Sequence, residues 1–131
     1  MPSMYKDVAE FHELILNCHP VTPPSLISDA FCLERTRFLM EELEEFVEAF
    51  HTGNIVGVAD ALADLVYVAL GTGYQMGLPM DTIWAAVHSA NMLKVRGTTK
   101  RGNAIDAVKP GGWVGPEAAI ARAINRAYDA A

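Results

Sequence analysis

Between Ile55 and Pro79 the chain carries only two charged residues, Asp60 and Asp64, and they stand four apart. The rest of the stretch is dominated by Val, Leu, Ala and Gly. It is bounded by Gly53-Asn54 on one side and Gly77-Leu78-Pro79 on the other. Apolar residues at this density between two breakers read as one helix from Ile55 to about Met76. Residues four apart share a helix face, so both aspartates lie on the same side of an apolar rod. An ionised carboxylate buried without compensation costs several kcal/mol. The chain must therefore bring either bases or a cation to that place.

The other elements follow from breakers and periodicity. A first helix is predicted from about Ser3 to Cys18, with Val8, Phe11, Leu14 and Ile15 on one side, before Pro20, Pro23 and Pro24 force a non-helical crossing. A second begins at Ser28 or Asp29, either of which can cap it, and ends near His51-Thr52-Gly53. A fourth starts at Asp81, a plausible N-cap, and runs to about Val95. Residues 97–115 read as an irregular basic segment. Pro116 suits the first position of a short final helix, Glu117 to Tyr128. No segment alternates like a strand. The expectation is an all-α, single-domain antiparallel bundle over residues 1–131, with four main helices and a short C-terminal one.

The second helix carries Glu41, Glu42, Glu44, Glu45 and Glu48. With Glu42 at zero and 100° per residue, Phe38 lies at about −40°, Phe46 at about +40° and Leu39 at about +60°. Glu42 thus occupies a place in the apolar stripe, where a core residue belongs. Glu45 at about −60° borders the stripe, Glu41 at about −100° is further out, and Glu44 points to solvent. The only bases on the second and third helices are Arg35 and Arg37. Arg35 falls on the carboxylate face and can form one ion pair, which cannot neutralise four acids. A divalent cation is the economical solution, and an all-oxygen donor set suits Mg²⁺ or Mn²⁺ rather than zinc. A carboxylate-bridged di-iron bundle needs Glu-x-x-His on two helices. The one instance, Glu48 to His51, falls on the outer face.

Charge and composition narrow the partners. The net charge of −6 argues against nucleic acid, which demands a positive surface. Nine of the sixteen acids lie between Asp29 and Asp64, whereas Lys94, Arg96, Lys100, Arg101 and Lys109 cluster further on. An acidic centre followed by a basic tail suits a metal ion plus a polyphosphate, and equally two solvated surfaces that never meet. Cys18 and Cys32 have no metal-type spacing. The N-terminus lacks the apolar run of a signal peptide, and Ile55 to Leu70 reads as too short to span a bilayer, so a cytoplasmic protein with no membrane partner is expected. With 51% apolar residues in so short a chain, some of that load is expected to be covered in a homodimer or homotetramer.

Glu41-Glu42-x-x-Glu45, followed by DALADLVY from Asp60 to Tyr67 and by N-x-x-K at Asn91 to Lys94, resembles the all-alpha nucleoside triphosphate pyrophosphatase superfamily. The match is strongest to its MazG-like, phosphoribosyl-ATP-pyrophosphohydrolase-like branch and runs from about Phe11 to Trp113. The usual pattern is E-E-x-x-E and then E-x-x-D. Here Ala61 stands where the second pair has its glutamate, and Asp60 is the substitute the resemblance offers. By position the resemblance implies Glu42, Glu45, Asp60 and Asp64 as metal ligands. It makes Glu41 a residue that binds metal or activates water, and it places Asn91 and Lys94 at the nucleotide and its phosphates. Tyr67 can stack on a base or serve as a core tyrosine; Lys109, with Lys100 and Arg101, can close over a triphosphate. The implied activity is cleavage of a (d)NTP to (d)NMP and pyrophosphate in nucleotide-pool housecleaning. The alternative is a catalytically silent helical oligomer that senses nucleotides or binds a partner, and the Ala61 departure favours it.

Overall fold

Helices begin in this chain where the sequence offers a cap or a proline. In a computed structural model that describes residues 2–98 and 105–131, α1 spans Met4–Leu14, and the Ser3 hydroxyl accepts from the Lys6 amide. Helix α2 spans Asp29–His51 with Ser28 accepting from Phe31, and α3 spans Ile55–Gln75 with Asn54 accepting from Gly57. Each such cap is worth about 1 kcal/mol. Helices α4, Met80–Met92, and α5, Glu117–Asp129, follow Pro79 and Pro116 and have no side-chain cap. Asp81 is not the cap expected of it. It sits in the first turn of α4 and accepts from the Ser3 hydroxyl at 3.0 Å, tying the start of α4 to that of α1.

Two helix ends differ from the sequence reading. Helix α1 stops at Leu14 rather than Cys18, and Asn17 beyond it takes a left-handed φ of 47°. Helix α4 stops at Met92, because Val95–Gly97 forms a strand, β1, antiparallel to β2 at Asp106–Val108, with Val95 opposite Val108. Strands of three residues are too short for alternation to show. Helix α3 ends where expected, and its 21 residues, more than the apolar stretch to Leu70, are long and apolar enough to cross a membrane by length and composition.

Helix α3 is the axis of the molecule. Helix α2 lies antiparallel along it: Arg35 near the start of α2 meets Val68 and Thr72 late in α3, while Glu42 faces Asp64. Helix α1 crosses α3, and α4 packs chiefly on α5. Among the described residues the buried apolar side chains are Val8, Ala49, Ala61, Val68 and Tyr74 around α3, with Ile83, Ala90 and Ala123 between α4 and α5. The face of α1 that is covered carries Val8 and His12, whereas Phe11, Leu14 and Ile15 are exposed. His12 is held by a bond between its Nδ1 and the Val8 carbonyl, and its ring lies against Gly71 of α3.

The opposite side of the α2–α3 pair is bare. With Glu42 as zero on α2, Leu43, Val47, Met40 and Leu33 fall between about +100° and +180°. With buried Ala61 as zero on α3, Leu62, Ile55, Val66 and Ala59 fall between about +100° and +160°. In two antiparallel helices that face each other, equal positive offsets point to one side of the pair. These apolar side chains therefore form one continuous face, and they are exposed, Ile55 to 76% and Leu43 to 51%.

Candidate metal centre

Glu42 is where the wheel places it, in the seam between α2 and α3, buried to 9% exposure. Its carboxylate, that of Glu45 one turn on, and that of Asp64 from α3 each offer an oxygen, all within 4.8 Å of one another. Glu45 and Asp64 both lie at about −60° on their helices, which puts them on the side of the pair opposite the bare apolar face. Three carboxylates this close repel, and among the described residues no base is paired with them. Arg35, the expected ion-pair partner, turns away: its Nε donates to the Thr72 hydroxyl at 2.9 Å and its Nη2 to the Val68 carbonyl at 3.1 Å. Burial pushes the Glu42 carboxyl from its ordinary 4.5 up to about 7, and the charges of Glu45 and Asp64 push the same way. Its Oε2 is buried without a hydrogen-bond partner. An orphaned acceptor inside an acidic triad is a poor ending for a fold and a good one for a cation site. Three hard oxygen donors fit a small divalent cation.

The remaining candidates are placed less uniformly. Asp60 is exposed and stands outside the group of three; the residue that faces α2 at that level is Ala61, 1% exposed. Glu41 is exposed and lines a groove of about 510 Å³ with Ala30, Leu33, Glu34, Arg37 and Phe38. Tyr67 is edge-on to Phe11 with ring centroids 5.6 Å apart, one turn beyond Asp64. Asn91 closes α4, where its carbonyl accepts from the Lys94 amide. The ammonium groups of Lys94 and Lys109 stand 5.2 and 5.0 Å from the centre of the Trp113 ring, which is fixed by its indole N–H to the Ala90 carbonyl. Lys94 and Lys109 thus meet on Trp113, with Asn91 one turn before Lys94. Lys100 and Arg101 lie outside the described residues. Sequence reasoning missed the place of Arg35 and His12 in the buried polar junction around Gly71.

A family model described as phosphoribosyl-ATP pyrophosphohydrolase matches residues 8–91, which include α2, α3 and all three clustered carboxylates. The chain belongs to the phosphoribosyl-ATP pyrophosphohydrolase family. It is therefore a pyrophosphohydrolase of the nucleoside triphosphate pyrophosphatase type, with a nucleotide as its substrate. No curated protein matches the chain. The family identity gives the triad a context, since its three carboxylates could bind a metal.

The raised Glu42 value has a testable sign. Its folded-state pKa lies above that of the unfolded chain, so the folded protein keeps a proton that the unfolded one has lost. That contribution to stability is full below about 4.5 and is lost as pH rises through about 7. Thermal scans in EDTA should show wild type losing stability relative to Glu42→Gln across this window, and Mn²⁺ should remove the difference. Parallel pH curves in EDTA would mean that the carboxyl ionises normally.

Proposed function

We propose that the protein is a Mg²⁺-dependent nucleoside triphosphate pyrophosphohydrolase, able to use Mn²⁺, that converts a (d)NTP to its monophosphate and pyrophosphate. The observation that carries this reading is the Glu42–Glu45–Asp64 triad, with one oxygen of Glu42 left unpaired, in a chain of this family. Glu42, Glu45 and Asp64 would hold the ion, and Asp60 stands by on the solvent side of α3. The ion supplies charge neutralisation for the polyphosphate and for the leaving pyrophosphate. Glu41, open to solvent one position before Glu42, takes the proton of the attacking water on a carboxylate oxygen. Asn91, Lys94 and Lys109 would meet the nucleotide and its phosphates. A deoxynucleotide such as dUTP or dCTP, or a damaged nucleotide, is the leading substrate, in a cytoplasmic housecleaning role.

The same reading includes a second copy of the chain on the bare face of α2 and α3. The eight apolar side chains open there leave on the order of 800 Å² uncovered, about what each partner gives to a standard interface. A bilayer is the other medium that could cover α3, but α2 lies along its whole length and exposes Glu34, Arg37, Glu41, Glu44 and Glu48. Charges on that scale do not enter hydrocarbon. Docking a second copy on this side leaves the carboxylates open on the other.

Pyrophosphate release should be measured across canonical and modified (d)NTPs and phosphoribosyl-ATP, with and without Mg²⁺ or Mn²⁺, alongside the mass in solution. The expected result is metal-dependent release from a (d)NTP by a species at least twice the 14.2 kDa of one chain. Folded protein that binds metal yet releases nothing would favour the silent, nucleotide-sensing reading. Release from phosphoribosyl-ATP alone would keep the activity and overturn the substrate.

A further inference from the structure

The groove beside the triad holds one aromatic ring whose setting none of the roles above explains. Phe38 stands one turn before Glu42 on α2, at about −40°, so it lies on the same side as Glu45 and Asp64. It is 41% exposed, so part of its ring is open to solvent. It is also held firmly. The Arg35 guanidinium lies 5.4 Å from the ring centroid, and that guanidinium is itself fixed by the Thr72 hydroxyl and the Val68 carbonyl. Arg35 is 8% exposed; burial disfavours its charge, and the neighbouring Glu34 carboxylate favours it. One side of the ring is thus backed by a buried cation, while the rest of it opens on the groove lined by Ala30, Leu33, Glu34, Arg37 and Glu41. The groove, about 510 Å³, is an open furrow along α2, which supplies all six of its lining residues.

We infer that Phe38 is the stacking platform for the nucleobase of the substrate, with Arg35 as the positioning residue beneath it and Arg37 and Glu34 at the rim. This rests on the pyrophosphohydrolase reading above and names how that site grips its substrate. Distances along α2 agree: Glu42 is about 6 Å and Glu45 about 10 Å further along the axis, a span that fits a base on Phe38 with phosphates at the carboxylates. Stacking is available to every base, so the platform selects for a heteroaromatic ring rather than for one base. The sugar-phosphate end would carry the remaining selectivity.

The test compares wild type, Phe38→Ala and Phe38→Trp in two assays: KM and kcat for the best (d)NTP, and equilibrium binding of its non-hydrolysable α,β-methylene analogue with Mn²⁺. Binding of Mn²⁺ alone serves as the control for folding and for the triad. Phe38→Ala should raise KM and weaken analogue binding by roughly 5- to 100-fold, with kcat and Mn²⁺ affinity kept, and Phe38→Trp should restore both. The loss should be similar for purine and pyrimidine substrates. Unchanged KM in an active Phe38→Ala enzyme overturns the platform and leaves the pyrophosphohydrolase reading intact. Phe38-dependent analogue binding without any turnover supports the platform and overturns that reading. Wild type that neither turns over a nucleotide nor binds the analogue overturns both.

Discussion

Replacing Glu42 by glutamine is expected to abolish pyrophosphate release while raising the melting temperature of the metal-free protein. The two effects share one cause. In the native chain Glu42 brings a carboxylate into a seam already occupied by Glu45 and Asp64, and burial together with their charges holds its pKa up at about 7. An amide of the same shape carries no charge and can donate to either neighbour, which turns a repulsion into a hydrogen bond. Removing the strain of a functional site commonly stabilises by about 1 kcal/mol or more, roughly 4 °C in a chain of this size. The same amide is a far weaker ligand for a hard cation, and it breaks a three-oxygen set. Turnover should fall by about 100-fold or more, with Mn²⁺ affinity falling alongside it. Glu44→Gln, on the exposed face of the same helix, should change neither quantity. A Glu42→Gln protein that melts lower than wild type, or that keeps its turnover, would show that the carboxylate is structural.

Glu42 could be found from the sequence because a helix wheel has only one strong requirement, that the stripe be apolar, and a glutamate inside it breaks the rule visibly. The choice between Asp60 and Asp64 could not. Both fall on the same flank of α3, about 40° apart, and which of them reaches α2 depends on how the two helices are rotated against each other. That rotation is set by packing, with Ala61 in the seam and Asp60 turned out to solvent. Arg35 was misjudged for a related reason. Its position on the carboxylate face suggests an ion pair, but α3 runs antiparallel, so seven residues before Glu42 is also a full two turns away from Asp64. At that level α3 offers the Thr72 hydroxyl and the Val68 carbonyl instead. The pairing of β1 with β2 and the gathering of Lys94 and Lys109 on Trp113 are contacts that no local pattern encodes. Gly71 does carry a local signal: it sits in the middle of an otherwise strong helix, and glycine there usually marks a close approach.

Gly71→Ala is the substitution expected to damage the fold most for its size. By helix propensity alone it should stabilise α3 by about 1 kcal/mol. A Cβ at this position would instead sit 2.8 Å from Cε1 and 3.1 Å from Nε2 of His12, and 3.2 Å from Nη2 of Arg35. Neither neighbour has room to give. His12 is 3% exposed with its ring held through Val8, and Arg35 is 8% exposed with two bonds to α3. Overpacking a buried site costs about 1–3 kcal/mol, and breaking a buried bond from a charged donor costs about 1.5–3 kcal/mol more. The cost exceeds the propensity gain, for a net loss of about 2–4 kcal/mol and a melting temperature lower by on the order of 10 °C. Gly73→Ala is the control on the same helix. Its Cβ would meet Met80 Cγ and Sδ at 2.7 Å; the methionine must change rotamer, but no hydrogen bond breaks, so the loss should be smaller than at Gly71. Denaturant or thermal unfolding of the two variants in EDTA decides the matter. If Gly71→Ala melts with wild type, the junction of His12, Gly71 and Arg35 is looser than these distances imply, and Arg35 is not the fixed support on which the Phe38 platform depends.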